Sequence, residues 1–285
     1  MTNAIEIKNL NKNYQDFQLK DVSFKVPRGS IVGFIGENGA GKTTTIKAIL
    51  NLVSRDEGTI ELLGMDSLTD EKKVKESVGV VMDGCNFHDN LKTGDISKMM
   101  KSIYKNWNQQ MFQHYLKEFK LPDNKIIKEF SRGMKMKLQI AVALSHEAEL
   151  LILDEATSGL DPIVREEILD VFMEFIQNEK HAILISSHIT SDLDKIADYI
   201  VFIHQGEILL DEEKETLLSQ MGILKCGEED FRKLEGSEFI RYRKNQFSFE
   251  VLVTDKAAIR KKYPEAVVDG VTIEEIMLFY VRGQK

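Results

Sequence analysis

The stretch Gly36-Glu37-Asn38-Gly39-Ala40-Gly41-Lys42-Thr43 constrains this chain more than any other. It is a GxxxxGKT loop between an apolar, β-branched run, 31–35, and a run, 44–52, whose apolar residues recur at helical spacing. Glycines at 36, 39 and 41 let successive backbone N–H groups point inward, and the helix that follows starts with its positive end aimed at the same point. That is a seat for an anion. Lys42 reaches the β- and γ-phosphates as a point charge, and the Thr43 hydroxyl can ligate Mg²⁺. ATP or GTP is therefore the expected ligand.

At 285 residues and 42% hydrophobic content, the chain has room for one large α/β domain and a small appendage. Its net charge of −8 offers no electrostatic footprint for a nucleic-acid backbone, so no nucleic-acid partner is expected. Cys85 and Cys226 lie far apart without a metal-binding spacing and read as buried or free thiols rather than a disulfide, which fits a reducing cytoplasm. Charges in the first ten residues argue against a signal peptide, and no run approaches the roughly 18 apolar residues of a membrane span.

In chain order, 4–8 and 17–26 read as strands, the latter in two short pieces, with Tyr14 in the loop between. Tyr14 either stacks on a nucleotide base or packs on a half-buried strand. Further strands are expected at 59–62 and 78–81 with a short charged helix, 71–75, between them; Asp83-Gly84 then opens a loop. From 93 to 119 one helical pattern carries Met99, Ile103, Trp107, Met111, Tyr115 and Phe119 every fourth residue, read as the core stripe of an inserted helical lobe at about 87–145.

Ser131 is placed to cap the amphipathic run that follows it. Leu150–Leu153 is a continuous apolar strand, as in a sheet buried on both faces, and it ends on Asp154-Glu155. In doubly wound sheets ligands bind at the carboxyl ends of the strands, so both acids would be delivered toward the phosphates. A turn, 158–162, starts a helix over 164–178; the strand 182–186 terminates at Ser187-His188. A histidine there is either structural or, beside the other parts, catalytic. After a hairpin at 199–210 the composition shifts to a charged helix, two strands (239–243 and 247–253) and two helices (256–263 and 273–281), with a domain boundary expected near Glu212.

Together these residues resemble the ATP-binding-cassette ATPases over roughly residues 4 to 215, in the family's order of motifs. Residues 36–44, including Glu37, Asn38, Ala40 and Thr44, are similar to its Walker A loop, and 150–161, through Asp161, to its Walker B strand and D-loop. By the same likeness His188 is the switch histidine and Tyr14 the adenine-stacking aromatic. Phe130-Ser131-Arg132-Gly133-Met134 stands at the family's LSGGQ signature, which there closes over the ATP of an opposite subunit. Ser131 and Gly133 are kept, but Arg132 replaces a glycine and Met134 the glutamine; Asp83 stands at the Q-loop glutamine.

The resemblance implies a P-loop NTPase core, mostly parallel in its sheet, with an antiparallel β subdomain, the helical lobe, and an α+β C-terminal segment: an ATPase domain over 1–211 and an accessory domain over 212–285. It implies ATP and Mg²⁺ as cofactors, the metal held by Thr43 and Asp154, with Glu155 as base or water-positioner and His188 at the γ-phosphate. Asp83 is expected to be metal-coupled, the alternative being that it only orders its own Asp-Gly turn. The implied protein is an ATPase subunit of an ABC-2-type exporter of drugs, peptides or lipids. It would lie in the cytoplasm against the inner face of the cell membrane, partnered by membrane-spanning permease subunits and a second ATPase subunit, identical or different. The alternative is a soluble cassette ATPase of DNA repair or cluster assembly.

Overall fold

A computed structural model describes residues 2–246 and 248–285. The chain opens with two long antiparallel strands, β1 (Asn3–Asn13) and β2 (Gln18–Pro27), and enters the central sheet at β3 (Ile31–Ile35), all five residues of which are buried. Helix α1 (Lys42–Ile49) follows the glycine loop; β4 (Glu57–Leu62) and β5 (Met65–Asp66) return to the first sheet, whose order is β2-β1-β4-β5. Helix α2 (Glu71–Glu76) leads to β6 (Val78–Val81). The lobe beyond it holds α3 (Thr93–Ile103), α4 (Gln109–Glu118) and α5 (Arg132–Leu144).

The chain then alternates strand and helix: β7 (Leu150–Asp154), α6 (Pro162–Phe175), β8 (Ala182–Ser187), α7 (Thr190–Ile196), β9 (Tyr199–His204) and β10 (Glu207–Glu213). The central sheet has the order β10-β9-β3-β8-β7-β6 and is parallel except for β10. Alternate residues of its strands serve two cores. Val32, Phe34, Ile152 and Leu184 pack toward the first sheet and α1, whereas Ile31, Ile35, Leu153 and Ile185 pack toward α5, α6 and α7. Burial on both faces explains why β3, β7 and β8 are almost wholly apolar.

The remainder is α8 (Lys214–Gln220), β11 (Gly222–Cys226), α9 (Glu228–Phe231), β12 (Phe239–Lys244), β13 (Phe249–Val253), α10 (Lys256–Lys262), β14 (Val267–Asp269) and α11 (Ile273–Arg282). The four strands form a third, antiparallel sheet, β12-β13-β11-β14, with a small core of its own. Position 247, the expected start of β13, lies outside the described residues. Ile276 and Phe279 of α11 instead join the main core beside Leu193, Ile196 and Phe202.

Four expectations need correction. The pattern over 93–119 is two helices, because Tyr104 turns extended and Asn108 caps α4 by accepting from the Met111 N–H. The core of the lobe accordingly uses Ile96, Met100, Phe112, Leu116 and Phe119, while Met99, Ile103 and Met111 face solvent. β2 is one strand, with Asp21 at φ 48° where two were expected. Glu212 and Glu213, expected to open a helix, end β10, where they pair with Ile200 and Tyr199.

His146, just beyond α5, is 1% exposed. It stacks on Tyr104 at 3.9 Å and sits 3.2 Å from the Val142 carbonyl and 3.3 Å from that of Val78. Burial pushes its imidazole below the ordinary value of 6.5, against the pull of those two carbonyls. Above that value the ring is neutral folded or unfolded. Below it the unfolded chain takes up a proton that the folded chain refuses, so stability falls as pH drops, by at most about 1.4 kcal/mol per pH unit. Chemical unfolding at pH 7.5, 6.5 and 5.5 should show a steeper acid loss in wild type than in His146→Gln; equal slopes would overturn this assignment.

Candidate functional site

The site is built at the carboxyl ends of β3, β7 and β8, neighbours in the central sheet. Gly36 leaves β3 so close to β9 that a Cβ there would lie 2.5 Å from the Ile203 carbonyl oxygen. Gly41 sits at the N-cap of α1 with φ 118°, a conformation other residues resist, and no side chain caps that helix. No acidic residue occupies its first turn either, which leaves the N-terminal amides and the positive helix end available to an anion. A loop of this shape, bare of side-chain caps and acids, fits a nucleotide's phosphates.

Lys42 is only 6% exposed, its ammonium donating to the carbonyl oxygens of Gly36 (2.7 Å) and Glu37 (3.3 Å) and standing 3.5 Å from Glu155 Oε1. Thr43 is exposed, Thr44 half-buried, and Glu37, Asn38 and Gly39 are open to solvent, with Ala40 buried beneath them. Asp154 ends β7 almost fully buried, one carboxylate oxygen accepting from the Ser186 hydroxyl at 2.6 Å. Burial of a carboxylate with a single hydroxyl donor fits a group that meets a cation.

Glu155 turns out of the strand with φ 54°, its N–H donating to the Ser186 carbonyl and hydroxyl oxygens at 3.2 and 3.1 Å. Non-glycine residues at such φ are uncommon and gather at functional sites. Its carboxylate bridges two groups, Lys42 at 3.5 Å and His188 Nδ1 at 2.5 Å. His188 follows β8, half exposed at 45%.

These residues wall a cleft of about 710 Å³ that collects the glycine loop, Asp83, Glu155, Ser158 and His188. Asp154, beside Glu155 in sequence, and its partner Ser186 are buried and do not line it. Phe17 and Asp16, not singled out in the sequence, line the cleft; Tyr14, 47% exposed, stands beside Phe17 at 6.5 Å and outside the lining. Ser131, Gly133 and Asp161 are not part of it either. Ser131 caps α5 by accepting from the Met134 N–H at 3.2 Å, Asp161 caps α6 from the Val164 N–H at 3.1 Å, and Gly133 faces Val164 between them. Asp83 does border the cleft, with Oδ1 accepting from Arg132 Nη2 at 3.1 Å. Ser186 and Arg132 were missed as partners because neither stands beside the acid it serves in sequence.

The model of the family described as "ABC transporter" matches residues 19–158. The bacitracin transport ATP-binding protein BcrA of Bacillus licheniformis is 34% identical over 212 residues, 73% of this chain and 69% of that one. The lantibiotic transport ATP-binding protein SrtF of Streptococcus pyogenes is 36% identical over 213 residues, 73% of this chain and 90% of that one. Among solved structures, the ATP-binding subunit of an ABC transporter superposes with a TM-score of 0.69 at 28% identity, over 75% of this chain and 91% of that one. The cassette MJ0796, a dimer in a post-hydrolysis state with ADP and phosphate, gives 0.65 at 20% identity over 73% and 98%, a likeness of fold.

Proposed function

The chain belongs to the ABC transporter family as an ATP-binding, ATP-hydrolysing subunit, and from that premise we propose that it powers export of a drug or peptide through separate membrane-spanning subunits in a bacterium. The observation that carries the catalytic half is the bridge of Glu155 between Lys42 and His188 at the mouth of the glycine loop. The likeness to bacitracin and lantibiotic transport proteins supports the export half.

In this reading Lys42 exchanges the carbonyls of Gly36 and Glu37 for phosphate oxygens, and the loop amides take the rest of the negative charge. Thr43 and Asp154 would hold Mg²⁺, with Asp83 on the wall nearby; when bound, the ion neutralises charge on the β- and γ-phosphates. Glu155 orients the attacking water and accepts its proton. His188 holds the Glu155 carboxylate in place through the 2.5 Å contact and faces the terminal phosphate. Because Ser131 and Gly133 lie outside their own cleft, they are free to face a nucleotide on a second cassette, which supports a paired assembly.

Among the described residues no helix is long and apolar enough to cross a membrane, and in this reading separate membrane-spanning subunits do so. A largely apolar groove of about 560 Å³ supplies a surface for them, walled by Leu50, Val80, Met82 and Tyr104, with Leu52 and Ile103 on its rim exposed to 60% and 59%. Met82 adjoins Asp83 of the nucleotide cleft, so one strand end touches both surfaces. We infer that a cytoplasmic segment of the membrane subunit docks there. Affinity purification of the tagged chain from detergent-solubilised membranes should recover a hydrophobic partner subunit in near-equal amount, and Ile103→Glu should lose it while keeping the isolated chain's ATPase rate. Purification without such a partner would overturn the transport reading in favour of a soluble cassette ATPase.

A further inference from the structure

Two positions where this chain departs from the residues expected of its family, Asp83 and Arg132, are bonded to each other. Arg132 Nη2 donates to Asp83 Oδ1 at 3.1 Å, although the residues are 49 apart in sequence. The guanidinium is wedged from its other side: a Cβ on Gly159 would lie 2.6 Å from Arg132 Nη1, so the bare backbone of the loop after β7 is what leaves it room. Two further residues of α5, spaced to share the face of Arg132, grip the same segment. Lys135 reaches Asp89 at 3.4 Å, and Gln139, nearly buried, donates to the Gly84 carbonyl oxygen at 2.8 Å.

As a source of stability the ion pair is small, since its side chains are 54% and 58% exposed. Its consequence is electrostatic. Asp83 borders the cleft that also holds Glu155, with Asp154 behind, and Lys42 is the buried cation among them. An uncompensated third carboxylate would repel a terminal phosphate, the part of ATP that ADP lacks. We propose that Arg132 is a positioning residue that neutralises Asp83 from outside the cleft, and that this pair sets the preference of the site for ATP over ADP. The proposal rests on the nucleotide reading of the cleft.

A general structural role for Arg132 would move both nucleotides together, whereas charge compensation acts on the terminal phosphate. In titrations of the purified chain with fluorescent ATP and ADP analogues and Mg²⁺, Arg132→Met should weaken ATP about five- to tenfold at low salt and leave ADP within about twofold. Asp83→Asn alone should keep or strengthen ATP binding, and the double variant should return ATP to near the wild-type value. Equal losses for ATP and ADP in Arg132→Met, or no recovery in the double variant, would overturn the pairing. Failure of wild type to bind either nucleotide would overturn the reading of the cleft itself.

Discussion

Lys42→Ala should lose about a hundredfold in ATP affinity, whereas Glu155→Gln should bind ATP as wild type does and release phosphate at least about a hundredfold more slowly. The division follows from where the two side chains sit. Lys42 is buried under the glycine loop with its ammonium already donating to the carbonyls of Gly36 and Glu37, so removing it deletes a buried cation at the proposed phosphate seat. Glu155 contributes no donor to the phosphates. Glutamine preserves its length, its backbone turn and a contact to His188, but it cannot take a proton from water. With closure allowed and turnover blocked, Glu155→Gln plus ATP should also accumulate paired cassettes in light scattering. Phosphate release by Glu155→Gln at the wild-type rate would sink the assignment of Glu155.

Why this much was legible is clearest at the loop itself. From Gly36 to Thr43, and again at Asp154-Glu155, the signal is local: the residues proposed to cradle phosphate and to meet a metal are consecutive, flanked by the fully buried runs of β3 and β7 and by α1. What escaped was set by contacts distant in sequence. The hydroxyl of Ser186 on Asp154 comes from the neighbouring strand, and the Arg132–Asp83 pair joins α5 to the segment after β6. Phe17, the residue before β2, enters the cleft ahead of Tyr14 because it packs over Gly41, where its ring would meet an added Cβ at 3.0 Å. The misread helix over 93–119 had a local signal in Asn108, a good N-cap, overlooked because the four-residue spacing ran through it. That spacing placed Met99 and Ile103 in the core, whereas the buried stripe of α3 runs through Ile96 and Met100.

The second large effect concerns the C-terminal end, which carries no phosphate or acid/base motif. We propose that the third sheet and its helices are an accessory lobe whose closing helix, α11, is a lid on the ATPase core. Phe279 is 1% exposed, packs in the same apolar cluster as Phe202 of β9, and lies under the Arg243 guanidinium at 4.4 Å, while its neighbour Tyr280 meets the Phe202 ring edge-on at 6.0 Å. Phe279→Ala removes this anchor and should cost about 3–5 kcal/mol, lowering the melting temperature by about 10 °C. Every residue lining the nucleotide cleft precedes position 189, so ATP affinity measured well below the transition should stay within about twofold. The lid does share with the His188 loop a separate cavity of about 410 Å³, bordered by Glu37, His188 and Thr190 on one side and Glu274 and Met277 of α11 on the other. Turnover is therefore the more sensitive readout, because His188, which contacts Glu155, borders that cavity, whereas Lys42 does not. An unchanged melting temperature would mean that α11 is no part of the core, and loss of ATP binding in a still-folded Phe279→Ala chain would refute the accessory role.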